Sequence, residues 1–276
     1  MATTLRTTPR PGREPLRPIR LFGTYFRISA LNELQYRATF VVAMLQSVVA
    51  LATGLAVLAL VFSQTDSLNG WSGPELLALM GVHILLGGVI ASMIQPNMER
   101  LMQDVRRGTL DFVLTKPDDA QLLASVREFR PWQLVDVVIG IVLVGIGVAR
   151  LGRGLDAAQV AAFAVALVLG AVLLYCFWLV VTTCAFWLVR MDEVHELFEG
   201  LYQSGRWPVS IYPSWLRIGL TFVVPIAFAV TIPAEALTGR LEPIALAGAA
   251  VFTVIAFLGA RAFWRFGLRA YSGASA

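Results

Sequence analysis

From Ala157 to Val189 the chain runs for 33 residues without a charged side chain, and five other stretches approach that character. Backbone in hydrocarbon has to satisfy its own hydrogen bonds, so such runs fold as membrane-crossing helices rather than as loops or open sheets. About 20 apolar residues cross a core of roughly 30 Å. On that measure six spans are expected, near 38–63, 75–95, 134–149, 157–189, 217–238 and 243–262. The fourth is too long for one perpendicular crossing and has to tilt or project beyond the bilayer. Pro225 and Pro233 fall inside the fifth, where neighbouring groups must take up the carbonyls that proline leaves unpaired. Charged residues make up 14% of the 276, against about 25% in soluble domains. The fold class is therefore all-α integral membrane protein.

Charge sets the expected orientation. With the N-terminus inside, the segments 1–37, 96–132, 190–217 and 261–276 are cytosolic and hold 19 of the 22 basic residues. Only Arg150, Arg153 and Arg240 remain for the outer connections. The positive-inside rule then makes both termini cytosolic, in the plasma membrane of a bacterium. The outer connections are too short for an extracellular domain. Residues 1–18 lack the apolar core of a signal peptide and read as a flexible cytosolic tail. Residues 19–37 group Phe22, Phe26 and Leu34 on one face beside Tyr25 and Ile28, the pattern of an amphipathic helix in the headgroup layer. The six-span domain occupies 38–270, with a cytosolic segment at about 96–132, and 271–276 form a cytosolic C-terminal tail. The net charge of +4 follows this topology; it calls for lipid headgroups and not for nucleic acid.

Few residues offer chemistry. Cys176 and Cys184 lie two helical turns apart, too far for a disulfide, and read as small apolar side chains. His83 and His195 are too distant in sequence to suggest a metal site. Within the spans, His83 is expected to make a hydrogen-bonded packing contact and Asp136 to serve at the start of its helix. Glu75, Glu235 and Glu242 are expected to be hydrated at span ends. "MDEVHE", Met191 to Glu196, gathers Asp192, Glu193, His195 and Glu196, which a solvated helix extension explains without catalysis. No metalloprotease motif, nucleophile elbow or phosphate-binding loop is present; Lys116, the only lysine, is followed by Pro117. Paired carboxylates that would couple transport to ions are missing from the spans. Gly87/Ala91, Gly88/Ser92, Gly140, Gly145 and Gly147 permit close helix approach.

The polar exception is "RRGTLDFVLTKPDD", Arg106 to Asp119. A helix ending at Gly108, a suitable left-handed cap, is followed by Leu110, Phe112, Val113 and Leu114 interleaved with Asp111 and Lys116. This is a short amphipathic element stopped by proline.

"NELQYRATF", "DVRRGTLDFVLTKPDDAQLL", "GRWPVSIYPSWLR", "VVPIAFAVTIPAEALTG" and "WRFGLRAYSGASA", in that order, resemble the ABC-2 type permeases, in particular their short six-span subfamily. The resemblance runs from about residue 20 to the end. It implies a non-enzymatic permease subunit of an ATP-driven transporter, an exporter working by alternating access. The subunit would pair with a second copy of itself or a related permease, in contact with membrane lipids, and dock on separate ABC ATPase subunits. ATP and Mg2+ would belong to those subunits, with no cofactor in this chain. The segment between spans two and three would be the coupling helix, with Arg106, Arg107, Gly108, Thr109, Leu110, Asp111, Leu114 and Lys116 meeting the ATPase. Residue composition alone leaves two alternatives: an ATP-independent transporter or channel, and a membrane-embedded lipid-modifying enzyme.

Overall fold

The computed structural model describes Gly23 and residues 37–117, 119–152, 154–187 and 192–271. The expected N-terminal tail, the body of the amphipathic helix and residues 272–276 lie outside the described residues, as do the side chains of Asp192, Glu193 and His195. The fold is all-helical. The helices are α1 (Arg37–Phe62), α2 (Gly73–Val89), α3 (Gln95–Arg107), α4 (Asp111–Leu114), α5 (Ala120–Ser125), α6 (Leu134–Arg150), α7 (Ala157–Thr183), α8 (Asp192–Ser204), α9 (Ser214–Ile218), α10 (Ile232–Leu237) and α11 (Pro243–Ala270). Among the described residues no sheet forms; one isolated bridge, Leu68–Trp71, closes the turn at Asn69 and Gly70, both at positive φ.

Five helical stretches are long and apolar enough to cross a membrane: Phe40–Phe62, Gly73–Arg107, Pro131–Arg150, Ala157–Phe186 and Pro243–Ala270. The second joins α2 to α3 through a π-helical turn, Ile90–Ile94, into one 35-residue rod. At 1.5 Å per residue it is about 50 Å long. Its start is fixed by local chemistry. The Glu75 carboxylate accepts from the Ser72 N–H at 2.8 Å and from the Ser72 hydroxyl at 3.0 Å, and Pro74 sits in the first turn, where its missing N–H costs nothing. Its end is the expected one: Gly108 adopts φ 69° and its N–H returns to the Asp104 and Val105 carbonyls.

The most extensive helix pairing is α2 against α6, and glycine permits it. A Cβ on Gly140 would stand 2.5 Å from the Leu85 N and 2.6 Å from the Gly81 O; one on Gly88 would stand 2.8 Å from the Val137 N. The small residues that make the seam are Gly81, Gly88, Gly140 and Gly147. Gly87 instead faces Tyr202, and Gly145 faces open space.

The expected fifth span is not a single helix. Ser214–Val223 and Ala227–Leu237 meet at 81°, because Val224 is extended (φ −113°, ψ 96°) and Pro225 has no N–H with which to continue a helix. Both ends of this segment are tied to one corner. Asn69 Nδ2 donates to the Ser210 carbonyl at 3.0 Å. Arg240 donates to both Glu75 carboxylate oxygens at 2.9 and 2.8 Å and to the Gly70 carbonyl, with its guanidinium over the Trp71 ring. Residues 210–240 therefore leave and return at the Trp71 end of the bundle. The expectation that 190–217 lie wholly at the opposite end is corrected accordingly. So is that of a hydrated Glu75, which is 5% exposed and compensated by Arg240.

α8 supplies the path between the two ends. α7 finishes at the Arg107 end, where Ala185 packs on Met102. α8 then rises with Phe198 against Phe177 and Trp178. By Tyr202 it has reached the middle of α2, where the Tyr202 hydroxyl donates to the His83 carbonyl at 2.7 Å and the two rings stack 4.5 Å apart. At this level Gly205 meets Ile226, from the bend of the hairpin.

Candidate functional site

Two places concentrate polar side chains: the projecting segment at the Arg107 end and a cavity within the bundle.

The projecting segment is held rigidly. Asp104 pairs with Arg127 at 2.7 Å, Glu99 with Arg130 at 2.7 Å, and Arg100 with Glu128 at 3.3 Å. Asn97 joins the same seam, donating to the Glu128 carbonyl and accepting from its N–H, both at 2.8 Å. The Arg130 N–H donates to the Ser92 carbonyl. At the base of α5, Asp119 accepts from the Gln121 and Leu122 N–H groups and from Arg261. Partial burial alone would raise the Asp119 carboxyl. The Leu122 N–H, the Arg261 guanidinium and the Gln121 N–H instead bring it below the ordinary carboxylate value.

Within this frame the eight residues singled out from the sequence divide into two groups. Arg106, Arg107, Leu114 and Lys116 are exposed, and Asp111 is half-buried. Gly108 is the helix cap, and the Thr109 hydroxyl donates to Asp104 at 2.8 Å, so both shape the turn. Leu110 is fully buried, with Val113 beside it at 3% exposure; Leu110 supports the element from beneath and offers no surface. Phe112, outside the predicted set, is 74% exposed. It stands with Leu114 as the apolar tip of the projection. Amphipathic spacing marked the element but did not say which of its apolar residues face inward.

The cavity measures about 380 Å³ and lies between α1, α2, α8 and the start of α6. Gln46, Ser47, Gln95, Gln133, Gln203 and Arg206 supply polar lining, with His83, Asp136 and Glu199. Leu51, Met80, Ile84 and Ile90 supply apolar wall, and Phe198 and Tyr202 aromatic wall. His83 packs by stacking on Tyr202, but the hydrogen bond expected of its side chain is not made at Nδ1, which is buried without a partner. Asp136 lies in the first turn of α6 without a capping hydrogen bond at that helix start; its carboxylate accepts from Ser47 instead. Arg206 Nη2 donates to Gln203 Oε1 at 2.6 Å. Sequence reasoning missed Gln46, Ser47, Glu199, Tyr202 and Arg206. Two signals were available: an adjacent Gln–Ser pair inside an otherwise apolar run, and the amphipathic period of "DEVHELFEGLYQSGR". Among the described residues no cluster of three or more His, Cys, Asp or Glu could hold a metal ion.

The family model described as ABC-2 family transporter protein matches residues 48–275. No curated protein and no solved structure matches the chain.

Proposed function

The chain belongs to the ABC-2 family of transporter proteins, the membrane subunits of ABC transporters, and on that premise we propose how it couples and conducts. The Arg107 end faces the cytosol and the Trp71 end faces outward, since among the described residues Arg100, Arg106, Arg107, Lys116, Arg127, Arg130 and Arg261 belong to the former. Residues 192–211 then make the fifth crossing, and residues 214–237 form a hairpin dipping in from outside. An ABC ATPase subunit, carrying ATP and Mg2+, docks on the projecting segment. Phe112 and Leu114 enter its groove, and Arg106, Arg107 and Lys116 flank them. The observation that carries this reading is an exposed apolar tip on a base clamped by ion pairs. That arrangement suits a seat for a protein partner and is wasteful for a solvated loop.

Motion of the seat would pass along the rod formed by α2 and α3 to the cavity. α1 walls the cavity with Ala43, Gln46, Ser47 and Leu51 and leaves Val41, Leu45, Val48 and Val49 bare. A second copy of the chain, or a related permease, completes the pathway there, and alternating access exports the substrate.

Two cysteine variants test orientation and docking together, against a low background because Cys176 is buried and Cys184 half-buried. Trp215→Cys, at a residue 74% exposed, should react with a membrane-impermeant maleimide in intact cells. Lys116→Cys should react only after permeabilisation, and should cross-link to a co-expressed ATPase subunit while Trp215→Cys does not. Labelling of Lys116→Cys from outside would refute the orientation. A Lys116→Cys chain that co-purifies with the ATPase but never cross-links to it would refute the docking site.

A further inference from the structure

Resting on the transporter reading, we propose that the ATPase seat and its base, residues 95–117 and 119–130, swing as one block that travels with α7 and α11 and is hinged on the α2–α6 pair. The chain enters this block through the π-helical turn Ile90–Ile94 and leaves it through a 3₁₀ turn, Pro131–Gln133. The two turns lie against each other.

Both turns are irregular for local reasons. Pro96 has no N–H to give the Ser92 carbonyl, which accepts from the Arg130 N–H at 2.9 Å instead. Arg130, held before Pro131, is extended (φ −109°, ψ 91°). Short π and 3₁₀ stretches set within helices are where a rod can bend. On the near side of the joints the block is stiff. Asn97, 1% exposed, donates to the Met93 carbonyl at 2.6 Å and joins both backbone groups of Glu128. The Glu99 carboxylate accepts from Gln95 and from Arg130, each at 2.7 Å. On the far side α6 is locked to α2 by the glycine seam.

The block's remaining polar ties lead to the other helix pair. Arg261 on α11 meets Asp119 at 2.8 Å. The Tyr175 hydroxyl on α7 accepts from Gln121 at 3.1 Å and shares a proton with Ser125 at 2.8 Å. α7 itself packs along α11. Bendable joints to one pair and side-chain bonds to the other decide which neighbours the block follows. Gln95 and Gln133, one at each joint, line the cavity, so a swing of the seat reshapes the cavity edge.

The test uses spin labels on the full chain, bound to its ATPase subunit in phosphatidylcholine nanodiscs. Labelled chain is diluted with unlabelled chain, so that each distance is read within one copy. A Cys184→Ser background removes the half-buried thiol and leaves the buried Cys176. Labels at Gln103→Cys and Val138→Cys straddle the joints; labels at Gln103→Cys and Leu258→Cys, on α11, do not. All three positions are exposed. ATP with vanadate should shift the first distance by about 2 Å or more and the second by less than about 1 Å. Pro96→Ala returns an N–H to the turn, and should suppress the first shift while the ATPase still co-purifies and the melting temperature does not fall. A captured ATPase with an unmoved first distance, or with equal shifts in both pairs, overturns the hinge alone. So does a Pro96→Ala chain that moves as far as the unmodified one. A chain that captures no ATPase overturns the docking reading and the hinge with it.

Discussion

Phe112→Asp should release the ATPase subunit from a permease that still folds. The ring is 74% exposed, so its removal costs the isolated chain little. Bound in a partner's groove, a phenylalanine contributes about 2–3 kcal/mol of apolar transfer, so its loss weakens docking roughly 30- to 150-fold. The introduced carboxylate adds a desolvation cost on the partner's side. Leu110→Asp, two residues away, should behave in the opposite order. Leu110 is fully buried, and a carboxylate there has no described cation to meet it. That chain should lose its folded, monodisperse state before docking can be measured. Size-exclusion profiles read the fold, and pull-down with the ATPase subunit reads the dock. If Phe112→Asp keeps full affinity for the ATPase, the projecting tip is not the seat.

The second large effect lies in the seam between α2 and α6. Gly140→Leu would drive a Cβ to within 2.5 Å of the Leu85 N and 2.6 Å of the Gly81 O. Both obstacles are backbone, which cannot rotate away as a side-chain tip can. The expected cost is at or above about 3 kcal/mol, a fall in melting temperature on the order of 10 °C. Gly145→Leu is the matched control: same helix, same substitution, and nothing within 4 Å of the added Cβ. It should melt with the unmodified chain. Equal melting temperatures for all three proteins would mean the seam is looser than its geometry.

The contrast between these two glycines shows where sequence stopped being informative. Apolar run length located α1, α2, α6, α7 and α11, because hydrocarbon thickness imposes that length whatever the neighbours do. Gly108 was legible as a cap since a left-handed turn has few candidate residues. By contrast, Gly140 and Gly145 look alike in sequence; only the presence of Gly81 opposite makes one indispensable. The hairpin at 214–237 was hidden for a related reason. Its composition is that of a span, and what makes it return is a pair of contacts, Asn69 with Ser210 and Arg240 with Glu75, between residues 141 and 165 positions apart. Pro225 at the bend was the one local sign. α8 was legible as a charged helix extension, and its Glu196 is exposed; that Glu199 borders a cavity was not legible, because the opposing wall comes from α1 and α2. For the projecting element, spacing found the segment and burial then separated Leu110 from Phe112.

The anchoring of residues 210–240 to residues 69–75 also bears on how the protein is made. A chain synthesised from its N-terminus exposes the apolar stretch 217–238 long after the corner that will hold it has entered the bilayer. Hydropathy would let the insertion machinery pass that stretch straight across, and only docking against Asn69, Gly70 and Glu75 turns it back. Closure over such separations is slow compared with local helix formation. Residues 210–240 therefore take their path by capture on an earlier-built scaffold. The protein's biogenesis is at its most vulnerable in the interval between the synthesis of Pro225 and the arrival of Arg240.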